Sequence, residues 1–107
     1  MANDLDVAKR YMATMHSAKS RNLSFDISFA EFKRIFNTKK CFYTGKRLVH
    51  GHNFSLDRVN NELGYVSGNV VACDETFNKL KANLTIEQIN AIYFGIEKHG
   101  RNKKENK

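Results

Sequence analysis

An aspartate, two asparagines and a lysine define the chemistry open to this chain. The segment LDRVNNELGYVSGNVVACDETFNKLK, residues 56–81, reads as a hairpin followed by a helix. Asp57 falls on the first strand and Asn69 on the second, while Asn78 and Lys81, three residues apart, share one face of the helix. Two oxygen ligands brought together in this way can hold a divalent cation against a phosphate. Phosphodiester cleavage is the leading expectation from this spacing.

The elements that must position these residues can be read on either side of them. Residues 4–20 form a helix in which Leu5, Ala8, Met12 and Met15 recur at helical spacing and turn inward, with Asn3 or Asp4 as its cap. A polar, extended connection spans residues 21–27. Ser28 and Glu31 have the form of a capping box, Ser28 at the N-cap and Glu31 reaching back; the helix they open buries Phe29, Phe32, Ile35 and Phe36 and stops near Asn37. A tight turn at 41–45 ends in Gly45.

Alternation over residues 54–58 predicts a strand that buries Phe54 and Leu56 and points Asp57 the other way. Turn formers fill 60–64, and Ser67-Gly68 interrupts the extended run that Tyr65-Val66 begins. Asp74 and Glu75 start the third helix, with Cys73, Phe77, Leu80 and Leu84 expected on its core side. Thr85 and Gln88 repeat the capping pattern and open a fourth helix over 86–99, ended by Gly100 and followed by a mobile basic tail at 101–107.

At 107 residues the chain allows one small domain, and its hydrophobic fraction of 41% argues for a packed core. No apolar run approaches the roughly 20 residues of a membrane span, and the acidic N-terminal segment lacks the form of a secretion signal. The expected setting is cytoplasmic. Lysine and arginine total 18 against 11 acids, a net charge of +7 that suits a polyanionic partner.

Taken together, residues 41–85 resemble an HNH nuclease domain, the ββα-metal or His-Me finger fold, in its phage-type branch. The C-x-x-C-G turn of that branch corresponds to residues 41–45 and its S-[LI]-D-R-I strand to Ser55-Leu56-Asp57-Arg58-Val59. Its G-Y-x-x-x-N element corresponds to Gly64, Tyr65 and Asn69, and its terminal N-x-x-K to Asn78 and Lys81. The resemblance implies an α+β fold, a ββα core with flanking helices at both termini. It also implies one Mg²⁺ or Mn²⁺ ion held by Asp57 and Asn78, with Asn69 orienting the catalytic base and Lys81 neutralising the phosphate. A phage or mobile-element origin, and so a host cytoplasm, follows from the resemblance alone.

The chain departs from that pattern at two places. Where the family usually carries the histidine that activates water, this sequence has Arg58. Arginine keeps its proton and cannot act as an ordinary general base, but it can clamp a phosphate. His50 and His52, just before the strand, are the nearest candidates for the base, weighed against a reading of both as solvated loop residues. The second departure concerns the two C-x-x-C pairs of many relatives, which fall here on Cys41 and Thr44 and on Asp74 and Phe77, with Cys73 beside a ligand position. A tetrahedral thiolate site needs four ligands. No structural zinc is expected, and Cys41 and Cys73 read as small core residues.

Basic residues crowd the motif: Lys46, Arg47, Arg58, Lys79 and Lys81, with Lys39 and Lys40 before them. Singly each is an ordinary solvated side chain; together they favour phosphate contacts that carry no sequence preference. The expectation is a metal-dependent DNA endonuclease or nickase, acting on DNA in preference to RNA. The alternative is a degenerate HNH-type fold that binds nucleic acid or a protein partner without cutting. The sequence leaves open whether it acts as a monomer or a homodimer.

Overall fold

The computed structural model describes residues 2–82 and 84–105 of an α+β fold. Polar caps set its helices. Asn3 opens α1 (Asp4–Ser20), its side-chain oxygen accepting from the Asp6 N–H at 2.9 Å. Ser28 opens α2 (Phe29–Phe36) by accepting from the Glu31 N–H at 3.1 Å, and Asn37 closes it. Glu31 does not reach back to Ser28 as the capping box predicts. Its carboxylate accepts instead from the Ser67 hydroxyl at 2.8 Å and the Gly68 N–H at 3.3 Å, two donors in place of the single N–H of the box.

The inward face of α1 also differs from expectation. Leu5 and Met12 are 63% and 48% exposed, and the buried stripe is Val7, Thr14 and Ala18, with Tyr11 half-buried between them. Both stripes have helical spacing, and the one that turns inward is the one that meets α2 and β1. Thr14 returns its hydroxyl to the Arg10 carbonyl, and Tyr11 donates to the Ile27 carbonyl, so neither buries an unsatisfied polar group. The Tyr11 ring meets Phe25, Phe29 and Phe32 edge-on at 5.1–5.5 Å, which ties α1 to α2.

Within the connection after α1, β1 (Phe25–Asp26) pairs in parallel with β3 (Tyr65–Val66). Gly64 makes this approach possible, since a Cβ there would overlap the Ser24 carbonyl. The main ribbon is β2 (Phe54–Arg58) antiparallel to β4 (Val70–Asp74), in register from Phe54 opposite Asp74 to Arg58 opposite Val70. Asp74 then caps α3 (Glu75–Lys81) through the Phe77 N–H at 3.1 Å. Ribbon and helix follow one another in the predicted order, but Cys73 and Asp74, expected in the helix, belong to β4, where ladder pairing with Ser55 and Phe54 carries the strand two residues further.

The core joins Val7, Ile27, Phe32, Ile35 and Phe36 to Cys41, Leu48, Val70, Ala72 and Cys73. Phe54 meets Phe36 of α2 edge-on at 5.3 Å, while Ser55 and Asp57, on the alternate parity, turn to α3. Phe54 and Leu56 are only half-buried, and the most buried residue of β2 is Asp57.

On α3 the expected core side is reversed at one turn: Leu80 is 73% exposed and Lys81 is buried. The last helix, α4 (Ile86–Glu105), starts with the reciprocal Thr85–Gln88 box, at 2.9 and 3.1 Å. It does not stop at His99. Gly100 stays within the helix and is not among the glycines with positive φ, so it costs about 1 kcal/mol of propensity without supplying a terminating turn. Of the expected tail, 101–105 are helical and 106–107 lie outside the described residues. Among the described residues no helix is long and apolar enough to cross a membrane.

Candidate active site

Asp57 is the centre of the ribbon–helix seam. Strand alternation sends its carboxylate toward α3, where Lys81 approaches from the last turn of that helix. Lys81 Nζ lies 3.1 Å from Asp57 Oδ2 and 3.4 Å from Oδ1, and donates to the Arg58 carbonyl at 3.1 Å. The Tyr43 hydroxyl donates to Asp57 Oδ2 at 2.5 Å, and the Lys81 ammonium stands 5.8 Å from the Tyr43 ring. Burial, the bond to Asp57 and the charge of that carboxylate together push the Tyr43 phenol far above its ordinary value. Tyr43 therefore remains a donor at any working pH.

Asn78 lies one turn before Lys81. Its Nδ2 donates to Ser55 Oγ at 3.0 Å and to the Leu56 carbonyl at 3.2 Å. A carbonyl only accepts, so this contact fixes which end of the amide faces the strand. Oδ1 is left without a protein donor among the described residues. Ser55 and Asp57, two apart on β2, thus face Asn78 and Lys81, three apart on α3, along one seam.

The other motif residues hold the loop beside the site. Arg58 gives Nη1 to the Asn61 and Leu63 carbonyls at 2.9 and 2.8 Å, and its guanidinium sits 5.7 Å from the Tyr65 ring. Asn69, just before β4, is buried. Its Oδ1 accepts from the Asn60 N–H at 2.9 Å, and its Nδ2 donates to the Asn60 and Gly64 carbonyls at 3.1 and 2.9 Å. It staples the 60–64 turn, while its backbone carbonyl extends the ribbon through Val59 at 2.9 Å.

The two histidines are not brought to Asp57. His50 stacks on Phe36 at 4.2 Å between centroids, meets Phe54 edge-on at 4.5 Å, and places Nε2 2.7 Å from the Phe36 carbonyl. That is the α2 side of the ribbon, opposite the face that carries Asp57. His52 is exposed, and its side chain has no partner among the described residues. The outer cations spread similarly. Lys46 lies 3.7 Å from the Asp74 carboxylate, Lys79 pairs with Glu75 along α3 at 3.1 Å, and Arg47 is exposed on the loop before β2.

Cys73 stands closer to Cys41 than its sequence position suggests, with the two sulfur atoms 3.9 Å apart and both buried. Burial raises the Cys41 thiol, but hydrogen bonds from Thr44 and from the backbone at Asp74, Thr44 and Tyr43 outweigh it and bring the thiol down to about 7. Burial and the neighbouring Cys41 push Cys73 up to about 12. Asp74 is held below the ordinary carboxylate range by the Phe77 N–H, with burial opposing and Asn53 and Lys46 assisting.

The donors at the seam are of the kind a hard divalent cation takes, a carboxylate and an amide oxygen, with room needed for waters and a phosphate. They fit on one condition: the Lys81 ammonium must leave Asp57. Tyr43 is the residue that sequence reasoning missed. It belongs to the 41–45 turn, fourteen residues before Asp57, and no spacing rule connects a turn tyrosine to a strand aspartate.

No protein-family model matches the chain, and no solved structure matches it. It is 33% identical over 86 residues to an uncharacterized 29.0 kDa protein of the dda-modA intergenic region in Enterobacteria phage T4, covering 78% of this chain and 35% of that protein. It is 32% identical over 72 residues to the uncharacterized protein R423 of Acanthamoeba polyphaga mimivirus, covering 67% of this chain and 13% of that protein. The chain thus spans about a third or less of these relatives' lengths.

Proposed function

We propose that this chain is an HNH-type, metal-dependent endonuclease that hydrolyses phosphodiester bonds in DNA, one strand per site, in a cytoplasmic setting. The observation that carries the reading is the seam itself: a buried carboxylate, an amide oxygen without a protein donor among the described residues, and a lysine, drawn together from β2 and α3. Asp57 and Asn78 would hold one Mg²⁺ or Mn²⁺. A divalent cation there supplies Lewis-acid stabilisation of charge on the phosphate and the leaving 3′ oxygen.

The chain's own residues do the rest. Tyr43 holds the Asp57 carboxylate in place, and the strand contacts of Asn78 Nδ2 present Oδ1 outward. Lys81, once free of Asp57, neutralises the scissile phosphate. Arg58 spends Nη1 on the 60–64 turn and offers its remaining N–H groups to the backbone. The position of His50 on the opposite face disfavours it as the base.

One observation favours a second reading, a binding module without cleavage: both Asp57 oxygens already accept from Lys81, and one also from Tyr43. Incubation of supercoiled plasmid with Mg²⁺ or Mn²⁺ separates the two. The nuclease gives open circles that vanish with EDTA and with Asn78→Ala. A protein that retards DNA equally with and without EDTA and never nicks it is the binding module.

A further inference from the structure

We infer that Lys81 is a tethered cation that competes with the divalent ion for Asp57, so that the ion and a polyanionic phosphate backbone bind cooperatively. This rests on the reading of Asp57 as an ion ligand and adds how that site is regulated. Lys81 is 5% exposed, and its ammonium already balances the Asp57 carboxylate, the only one at the seam among the described residues. A divalent cation arriving at Asp57 brings a second positive charge to within a few ångströms of the first, in a poorly solvated place. Both cannot remain.

Where Lys81 can go decides the coupling. Its side chain borders a groove between α3 and α4 walled by Tyr43, Phe77, Leu80, Leu84, Ile89 and Ile92. Among the described residues Lys81 is the only charged one in that wall, and none of them offers a carboxylate there to receive its ammonium. Displaced without a partner, the ammonium loses its ion pair and its bond to the Arg58 carbonyl together. A phosphate at the seam supplies the missing counter-charge. The four-carbon lysine stem can swing from carboxylate to phosphate while its backbone stays fixed on α3. Ion binding frees the lysine that the phosphate needs, and phosphate binding vacates the carboxylate that the ion needs. By linkage each must raise the affinity for the other by the same factor.

The test measures Mn²⁺ affinity by the loss of the free-ion electron paramagnetic resonance signal, with and without a short DNA duplex, subtracting the same titration on Asp57→Ala to remove ions held by the DNA. The wild type should bind Mn²⁺ about tenfold or more tightly with the duplex present, within the usual span of coupled sites. Duplex affinity, read by fluorescence anisotropy, should rise by the same factor with Mn²⁺. Lys81→Met should bind Mn²⁺ tightly without DNA and lose the coupling. If that variant does not fold, the reciprocal wild-type measurement decides alone. Wild-type Mn²⁺ binding at Asp57 that is unchanged by duplex overturns the inference and leaves the ion site standing. No Asp57-dependent Mn²⁺ binding under any condition overturns both.

Discussion

Lys81 Nζ meets Asp57 Oδ2 at 3.1 Å with the two side chains only 6% and 5% exposed, a charge pair shut inside a small domain. Taking two charges out of water costs several kcal/mol per ion, and removing one partner leaves the other stranded. Lys81→Met should therefore destabilise the fold by about 3–5 kcal/mol. The double variant Asp57→Leu, Lys81→Met should recover most of that loss, because an apolar pair replaces two desolvated charges. Urea unfolding of the three proteins checks this; a single variant costing under about 1 kcal/mol would place the pair in the range of exposed salt bridges instead.

Asn69 serves the site from a distance. Its side chain satisfies the Asn60 N–H and the Asn60 and Gly64 carbonyls, and Asn69→Ala leaves those backbone groups without it. The expected cost is about 1–3 kcal/mol, with faster hydrogen exchange at Asn60 and its neighbours. Exchange that speeds up evenly across the whole chain would mean that Asn69 does not act locally on the turn.

Tyr43→Phe removes one hydroxyl and keeps the ring against Phe77 and the Lys81 ammonium. A hydrogen bond to a charged group contributes about 1.5–3 kcal/mol, so the variant should unfold at lower urea while its ring packing survives. Since Tyr43 also fixes the carboxylate, plasmid nicking should fall more than Mn²⁺-free DNA binding. Equal losses in both would assign Tyr43 to folding alone.

The paired thiols give a pH signature. Cys41, brought down to about 7, should appear as a thiolate near neutral pH by ultraviolet absorbance, while Cys73, pushed up to about 12, should stay protonated well beyond it. The sign follows from an unfolded thiol at about 8.5. The Cys41 contribution to stability is fully present above about 8.5 and is lost as pH falls through about 7. That of Cys73 is present below about 8.5 and is lost as pH rises toward about 12. Cys41→Ser should erase the gain in stability between neutral and mildly alkaline pH; a wild-type curve that already lacks it would contradict the assignment.

The ribbon, the helix behind it and the caps at Asn3, Ser28 and Thr85 were legible because each rests on local chemistry: alternation, turn formers and side chains that satisfy orphan N–H groups. What escaped depends on distant partners. Two stripes of α1 had helical spacing, and only the approach of α2 and β1 chose Val7 over Leu5. Lys81 goes in and Leu80 stays out because Asp57, 24 residues earlier in the chain, offers a counter-charge, a pairing no hydrophobicity rule expresses. His50 was near the motif in sequence, yet the loop before β2 lays its ring on Phe36 and against Phe54, on the face away from Asp57.

Crystals of the full chain soaked in Mn²⁺ and examined by anomalous scattering test the central claim most directly. The account predicts a single manganese peak bound by the Asp57 carboxylate and Asn78 Oδ1, with the Lys81 ammonium moved off Asp57. Lys81 still paired with Asp57, and no manganese at the seam at saturating ion, would contradict it.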